Sequence, residues 1–511
     1  MELRVNAGAL DFGACRPSLI VCAGALLTIG LHLAFSGLYG YQRDELYFIA
    51  CAQHLAWGYV DQPPLIAAIV KLSLRLFGDT LGALRILPAL AAGTLVGLTG
   101  YLTNRLGGGL YATAAAMIGV ALAPFDLAVG SLLTMNAFEP LLWLMLTLLV
   151  FAQLETPRPW RWVAIGVVVG VGVLNKWSMA MYALSLVAGM AFSPARRAVL
   201  VPGLGLAAAI ATAIAAPNIA WQALHGWPQL QVVHNAALAK NERVPVLVFL
   251  IEQLPLMNPF CAPLWIAGLY ALLNSRRYAG FALAYGVLVV AELLLHGKVY
   301  YVAPIYPGLI AAGAVAVEAM TIRRAGYRAG LIAAIVVAGF AIMPLATPAL
   351  PLPALLGYQH ALDVRTVKME DHPVGLVPQQ FADQLGWNDL EITIARAVAM
   401  LSPAERRSAA ILTGDYGQAA ALDFLGRRDH LPPAISGHNQ YYLWGPRGEH
   451  AAVVAVGLSR AVLAREYRSI EQVGEYRSLY VLPQNSNLPI YLCRRPRMPL
   501  TRYWRHLRDY L

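Results

Sequence analysis

The chain has 511 residues, 58% hydrophobic and only 13% charged, with a mean hydropathy of +0.56; soluble domains carry about 45–50% apolar and about 25% charged residues, so an ordinary soluble protein is excluded. Lys and Arg number 38 against 28 Asp and Glu, a net charge of +10. These charges fall between apolar runs, so orientation in a membrane explains them better than nucleic-acid binding.

A hydrocarbon core of about 30 Å needs about 20 apolar residues per helix. Such runs occur at 18–38, 83–103, 108–128, 131–152, 161–175, 177–194, 198–219, 245–273, 279–296, 301–321 and 328–348, which predicts an α-helical polytopic membrane protein of eleven spans. Asn175 and Lys176 interrupt the 161–194 stretch and mark either a turn or a polar site inside a helix. With the amino terminus in the cytoplasm, every inner segment carries arginine: Arg4 and Arg16, Arg105, Arg158 and Arg161, Arg196 and Arg197, Arg276 and Arg277, then Arg323, Arg324 and Arg328. The outer turns carry less, with Lys176, Lys298, Lys240 and Arg243. The first outer loop, with Arg43, Lys71 and Arg75, is the exception to the positive-inside rule and therefore a place to look for function.

The first apolar run lacks a small-residue cleavage site and reads as a retained signal anchor. The prolines Pro344, Pro348, Pro351 and Pro353 break the last helix, the composition changes after 348, and 355–511 has the charges and alternating patterns of a water-soluble domain. Eleven spans put that domain outside the cytoplasm. Its pattern predicts helices at 385–401, 416–426 and 458–467 and strands at 408–413, 450–456, 478–482 and 489–493, a small α/β domain. Gly414-Asp415-Tyr416-Gly417 sits at a strand-to-helix turn, either a phosphate or sugar contact or a tight turn with no ligand. Cys15, Cys22, Cys51, Cys261 and Cys493 form no CxxC or Cys/His cluster and read as small apolar fillers.

The first outer loop, residues 39–82, holds Tyr41, Arg43, Asp44, Glu45 and Tyr47, then Trp57, Tyr59, Asp61, Gln62, Pro63, Pro64 and Leu65, followed by an amphipathic 66–77 with Lys71 and Arg75. Paired carboxylates beside aromatics at the mouth of an apolar bundle are costly unless hydrated or used. One carboxylate there can act as a general base, with the aromatic rings as a platform for a sugar. The alternative is that Asp44 caps a short interfacial helix and pairs with Arg43.

Further polar groups face the same side: Asn136 and Glu139, one helical turn apart, then Lys176, and then His296, Lys298, Tyr300 and Tyr301. Each lysine alone reads as snorkelling to the interface. Together, cations, a base and an apolar groove suit a phosphate-linked substrate dissolved in lipid. His225, Trp227 and His234 in the 220–244 loop could join this group, although lone histidines are more often ordinary loop or interfacial residues. No cluster has metal-ligand spacing, although Asp44 with Glu139 could hold a divalent cation.

On these residues the chain resembles the GT-C glycosyltransferases that use polyprenyl-phosphate sugars, specifically glycosyltransferase family 39, the protein O-mannosyltransferases and the lipid A aminoarabinose transferases. The likeness covers roughly residues 18–345 and rests on Asp44-Glu45, Pro63-Pro64-Leu65 with Phe77-Gly78, Leu174-Asn175-Lys176, and Lys298-Val299-Tyr300-Tyr301 with Tyr306-Pro307. It implies a GT-C transferase domain over 1–348 and an appended outer domain over 355–511. It further implies inverting transfer from a polyprenyl-phosphate sugar to a lipid, polysaccharide or protein acceptor at the outer face of the bacterial cytoplasmic membrane. Asp44 would be the base and Glu45 its support. Lys176 and Lys298, with Arg43, Lys71 and Arg75, would hold the donor phosphate. Tyr41, Tyr47, Tyr59, Asp61, Asn136, Glu139, His296, Tyr300 and Tyr301 would line the substrate site. Two departures stand out: Gln62 precedes Pro-Pro where relatives often have Lys, and Asn136 stands where they have an acid, with Asp61 and Glu139 close by as substitutes. The competing class is a transporter or flippase for a lipid-linked sugar, but transporters place polar groups at the midplane of repeated halves, and no repeat is visible. A third reading is a structural membrane protein.

Overall fold

The computed structural model describes residues 19–199, 201–239, 241, 244–363 and 373–511. Arg4, Cys15, Arg16, Lys240 and Arg243 lie outside the described residues. Two compact units divide the chain: Met1–Gly37, Leu76–Trp221 and Arg243–Leu350 make the first, and Leu38–Arg75, Gln222–Glu242 and Pro351–Leu511 the second.

The first unit is a helical bundle, and the chain is a helical membrane protein. Among the described residues, five helices are long and apolar enough to cross a bilayer: Leu81–Arg105, Met135–Glu155, Pro202–Leu224, Val299–Met320 and Ala325–Ala346. Two bent pairs raise the number to as many as seven, Leu110–Ala121 with Pro124–Gly130 at 60° and Val246–Leu256 with Pro259–Leu273 at 97°. Each bend has a local cause. Pro124 starts a new helix after Ala123 turns extended. Asn258, at φ 65°, accepts from the Phe260 amide and donates to the Ile335 carbonyl, so its backbone cannot continue the preceding helix. Four shorter apolar helices, Leu19–Ala34, Pro159–Asn175, Ser178–Ala191 and Ala279–Leu294, occupy the remaining apolar runs. The interruption at Asn175 and Lys176 is a turn: Lys176 is extended (φ −159°, ψ 136°) and the next helix begins at Ser178.

Small residues let these helices approach. A side chain at Gly313 would overlap the Leu264 carbonyl, and one at Gly189 the Gly280 carbonyl, so glycine permits backbone-to-backbone contact where lipid supplies no hydrophobic drive. Trp143 stacks on Tyr182 with centroids 4.2 Å apart, and the Tyr182 hydroxyl is satisfied by Thr147 Oγ1 at 2.6 Å.

The second unit is built on a mixed sheet of five strands, β1 (Ala410–Thr413), β2 (Ala434–Ser436), β3 (Ala452–Val456), β4 (Tyr467–Arg477) and β5 (Asn487–Pro496), in the order β2-β1-β3-β5-β4. β1 pairs in parallel with β2 and β3, and β5 is antiparallel to β3 and β4. β1, β2 and β3 are fully buried apolar runs, as strands covered on both faces should be. The expected strand at 478–482 is a bend instead, and the chain pairs earlier, over Tyr467–Arg477. That edge strand is charged and mostly solvated, which hides it from a hydrophobicity reading. β2, only three residues long, gives no periodic signal either. The other expected elements appear as the helices Trp387–Ala399, Tyr416–Leu425 and Arg460–Glu466 and as β1, β3 and β5.

The first-loop helices Arg43–Gln53 and Leu65–Phe77 begin in this same unit. Of the cysteines, Cys51, Cys261 and Cys493 are buried free thiols and Cys22 is exposed.

Candidate active site

The candidate residues fall into one group in each unit. In the second unit the Arg43–Gln53 helix opens with a capping box: Gln42 Oε1 accepts from the amides of Asp44 (2.6 Å) and Glu45 (3.3 Å), while Glu45 Oε2 accepts from the Gln42 amide at 2.9 Å. Glu45 is fully buried in that role. Gln42, not Asp44, is therefore the cap. Asp44 keeps a side chain 34% exposed, with Oδ1 accepting from the Tyr416 hydroxyl at 2.8 Å and lying 3.8 Å from Arg43 Nε.

Arg43 lies 5.3 Å over the Tyr416 ring and 4.0 Å from Asp383 Oδ1. Burial works against its charge, but Asp383, Tyr416, Asp44 and Asp415 outweigh it and hold the guanidinium pKa above its ordinary value. Its charge thus serves a buried acidic cluster. Lys71 is half-buried and Arg75 exposed on the Leu65–Phe77 helix.

Asp61 Oδ1 accepts from the Tyr47 hydroxyl at 2.8 Å and Oδ2 from Asn439 Nδ2 at 3.2 Å. Burial pushes its carboxyl up to about 6, with the Tyr47 hydrogen bond opposing and the neighbouring Asp44 charge adding to the rise. Tyr59 is fully buried and binds the Cys51 and His54 carbonyls, a structural arrangement. Tyr41 packs edge-on against Phe424 at 5.1 Å.

In the Gly414–Gly417 turn, Asp415 Oδ1 accepts from the amides of Gly417 (2.6 Å) and Gln418 (3.3 Å), so the helix N-terminus is already occupied by a carboxylate rather than offered to a phosphate. His438 Nδ1 is 3.5 Å from Asp415 Oδ2. Burial would raise the Asp415 carboxyl, but His438, Arg43 and the Gly417 amide hold it well below the usual range. Burial alone would lower the His438 imidazole, but its hydrogen bond and charge interaction with Asp415 outweigh it and raise the pKa above the ordinary value of 6.5.

In the first unit Lys176 Nζ donates to Asn136 Oδ1 at 2.9 Å and to Glu139 Oε2 at 2.8 Å, and Ser178 donates to Glu139 Oε1. Asn175 Nδ2 donates to the Met135 carbonyl at 2.9 Å and ties the turn to the facing helix. Lys176 Nζ is 4.7 Å from the Tyr301 ring centroid and 6.0 Å from that of Tyr300, and Lys298 Nζ is also 6.0 Å from Tyr300. Two candidate cations thus converge on one aromatic pair. His296, at φ 52°, lies in the turn ahead of them.

Sequence reasoning missed Glu292, which is 2% exposed with Oε1 lacking a hydrogen-bond partner and which interacts electrostatically with Lys176 and Glu139. It was findable, as the one acid in the 279–296 apolar run. Also missed were His438, Asp383 and Asn439, polar residues of an outer domain with no distinguishing local pattern. Among the described residues no group of three or more His, Cys, Asp or Glu is placed to hold a metal, and Asp44 and Glu139 belong to different units.

Residues 61–221 match the family model of dolichyl-phosphate-mannose-protein mannosyltransferases, which identifies the class as glycosyltransferase. Two crystal structures of ArnT from Cupriavidus metallidurans share the fold. The one bound to undecaprenyl phosphate gives a TM-score of 0.56 at 16% identity. The apo structure gives 0.59 at 15%, and each comparison covers 93% of this chain and 97% of the other. No curated protein matches the chain by sequence.

Proposed function

We propose that the chain is an inverting GT-C glycosyltransferase that moves a sugar from a polyprenyl-phosphate carrier to an acceptor at the outer face of a bacterial cytoplasmic membrane. The observation that carries the reading is Asp44: a partly exposed carboxylate in the first turn of a capped helix, whose contacts among the described residues fall on Oδ1. In this role Asp44 takes the proton of the acceptor hydroxyl as that oxygen attacks the anomeric carbon from the side opposite the phosphate. The carbon–oxygen bond to phosphate breaks, and polyprenyl phosphate leaves with the electron pair. Lys176 and Lys298 stabilise the charge that develops on it, and the Tyr300 and Tyr301 rings hold the ammonium groups in place. Glu45 acts by capping the helix that carries the base.

If the four shorter apolar helices also cross, beside the five long helices and the two bent pairs, the odd number of spans leaves 355–511, taken as a separate domain appended to a transferase domain over 1–348, outside the cytoplasm. Undecaprenyl phosphate in the ArnT structure supports a polyprenyl donor. A lipid, polysaccharide or protein acceptor is compatible with this chemistry.

The test is release of polyprenyl phosphate from radiolabelled polyprenyl-phosphate sugars by the reconstituted protein, with membranes as acceptor source. Asp44→Asn is expected to lower the rate by about 10²–10⁴-fold, the usual contribution of a general base. Equal release by both proteins would remove Asp44 from the mechanism, and vectorial movement of intact donor without release would favour a flippase.

A further inference from the structure

The mechanism above does not use the hydrogen bond that Tyr416 makes to Asp44, which joins residues 372 positions apart in the chain. We propose that Tyr416 is the positioning residue of the base: from the carboxyl-terminal domain it fixes the Asp44 carboxylate so that Oδ2 faces the acceptor proton. The inference rests on the reading of Asp44 as base.

An aspartate in the first turn of a helix, 34% exposed, can rotate about two torsions, and each rotation moves the basic oxygen away from the acceptor. Among the described residues two contacts oppose that rotation, and both fall on Oδ1: the Tyr416 hydroxyl at 2.8 Å and Arg43 Nε at 3.8 Å. The geometry is therefore asymmetric, with one oxygen anchored and one left to react. An ionised carboxylate only accepts, so the phenol is the donor.

Tyr416 is itself immobilised. It is 6% exposed, its ring is 4.6 Å from that of Tyr47 and 5.0 Å from that of His438, and the Arg43 guanidinium covers it at 5.3 Å. Its backbone is set by Asp415, which caps the Tyr416–Leu425 helix and meets His438 at 3.5 Å. Gly417 completes the arrangement. A Cβ there would overlap Cγ of Arg43 and crowd its Cδ, so the N-termini of the two helices reach this separation only with glycine at 417.

The experiment is a double-mutant cycle of Tyr416→Phe with Asp44→Asn in the full-length reconstituted protein, with polyprenyl phosphate release expressed per bound radiolabelled donor. Counting bound donor corrects for misfolded protein, which a structural role would produce. Tyr416→Phe is expected to lower turnover per bound donor about tenfold or more, the scale of a hydrogen bond to a charged group, with donor affinity unchanged. In the Asp44→Asn background it should cost nothing further. Gly417→Ala, which keeps the hydroxyl but separates the helices, should reproduce the loss. Unchanged turnover per bound donor in Tyr416→Phe, or an equal fractional loss in both backgrounds, would overturn the inference while leaving the base intact. Wild-type turnover in Asp44→Asn would overturn both readings.

Discussion

Lys176 has a structural partner whatever its part in the proposed chemistry. Its ammonium group neutralises Glu139, whose side chain is only 3% exposed, so removing the lysine strands a buried carboxylate. Lys176→Met should lower stability by about 3–5 kcal/mol, the cost of breaking a buried pair, whereas Lys176→Met with Glu139→Gln should melt close to the wild type. Neither variant should release polyprenyl phosphate at more than about 1% of the wild-type rate, if the lysine contributes transition-state charge on the scale of an oxyanion-hole donor. Melting in detergent beside the release assay separates the two roles, and recovery of activity with recovery of fold would make Lys176 structural only.

Three titrating groups give the second unit a pH dependence whose sign follows from their shifts. Asp61, raised from 3.8 to about 6, contributes stability fully present below 3.8 and lost as pH rises through about 6. His438, raised above 6.5, contributes stability present below 6.5 and lost as pH rises through its folded value. Asp415, lowered from 3.8, contributes in the other direction: its share is present above 3.8 and lost as pH falls through the lowered value. Amide-exchange protection of β1 and β2, corrected for intrinsic rates, should therefore fall as pH rises from about 5 to about 8. Asp61→Asn should remove the step near 6 and His438→Gln the step above it. Protection that rises over this range would contradict both assignments.

At the scale of elements, the Arg43–Gln53 helix depends on a cap that uses a glutamate as acceptor rather than as a charge. Glu45→Gln retains an oxygen able to accept from the Gln42 amide, and glutamine is an accepted partner in a capping box. It should retain stability and transfer. Glu45→Ala loses the acceptor and buries an unpaired amide, at a cost of about 1–2 kcal/mol with reduced transfer. Thermal melts with the release assay check this, and a Glu45→Gln variant as impaired as Asp44→Asn would assign the glutamate a charged role in the chemistry. The element that sequence patterning misplaced, the β4 strand, differs in kind from the helices it placed well. Helix signals come from apolar runs that the bilayer requires, whereas an edge strand carries a solvated face and is defined by its partner.

For the whole molecule, the arginine pattern and the eleven apolar runs make a topological prediction. A cysteine replacing Gln484 in the carboxyl-terminal domain should react with a membrane-impermeant maleimide on intact spheroplasts, and one replacing Asn274, beside Arg276 and Arg277, should react only after lysis. Both positions are exposed in the structure. Reversed labelling would invert the orientation and move Asp44 to the inner face.

Composition and local pattern alone determined the membrane class, the positions of the apolar helices, the presence of a C-terminal α/β domain and the candidate residues Asp44, Lys176 and Lys298. Each of these follows from short-range requirements: about 20 apolar residues per span, a turn where Asn175 and Lys176 interrupt a run, and charges that must be used or hydrated. Tertiary structure decided the partners. That Glu45 caps while Asp44 meets Tyr416, that Arg43 serves Asp383 and Asp44, and that Lys176 is held by Asn136 and Glu139 all depend on residues far apart in the chain. Hydrogen bonds and ion pairs act over about 3–4 Å, and that distance is set by packing, which no local window of sequence contains.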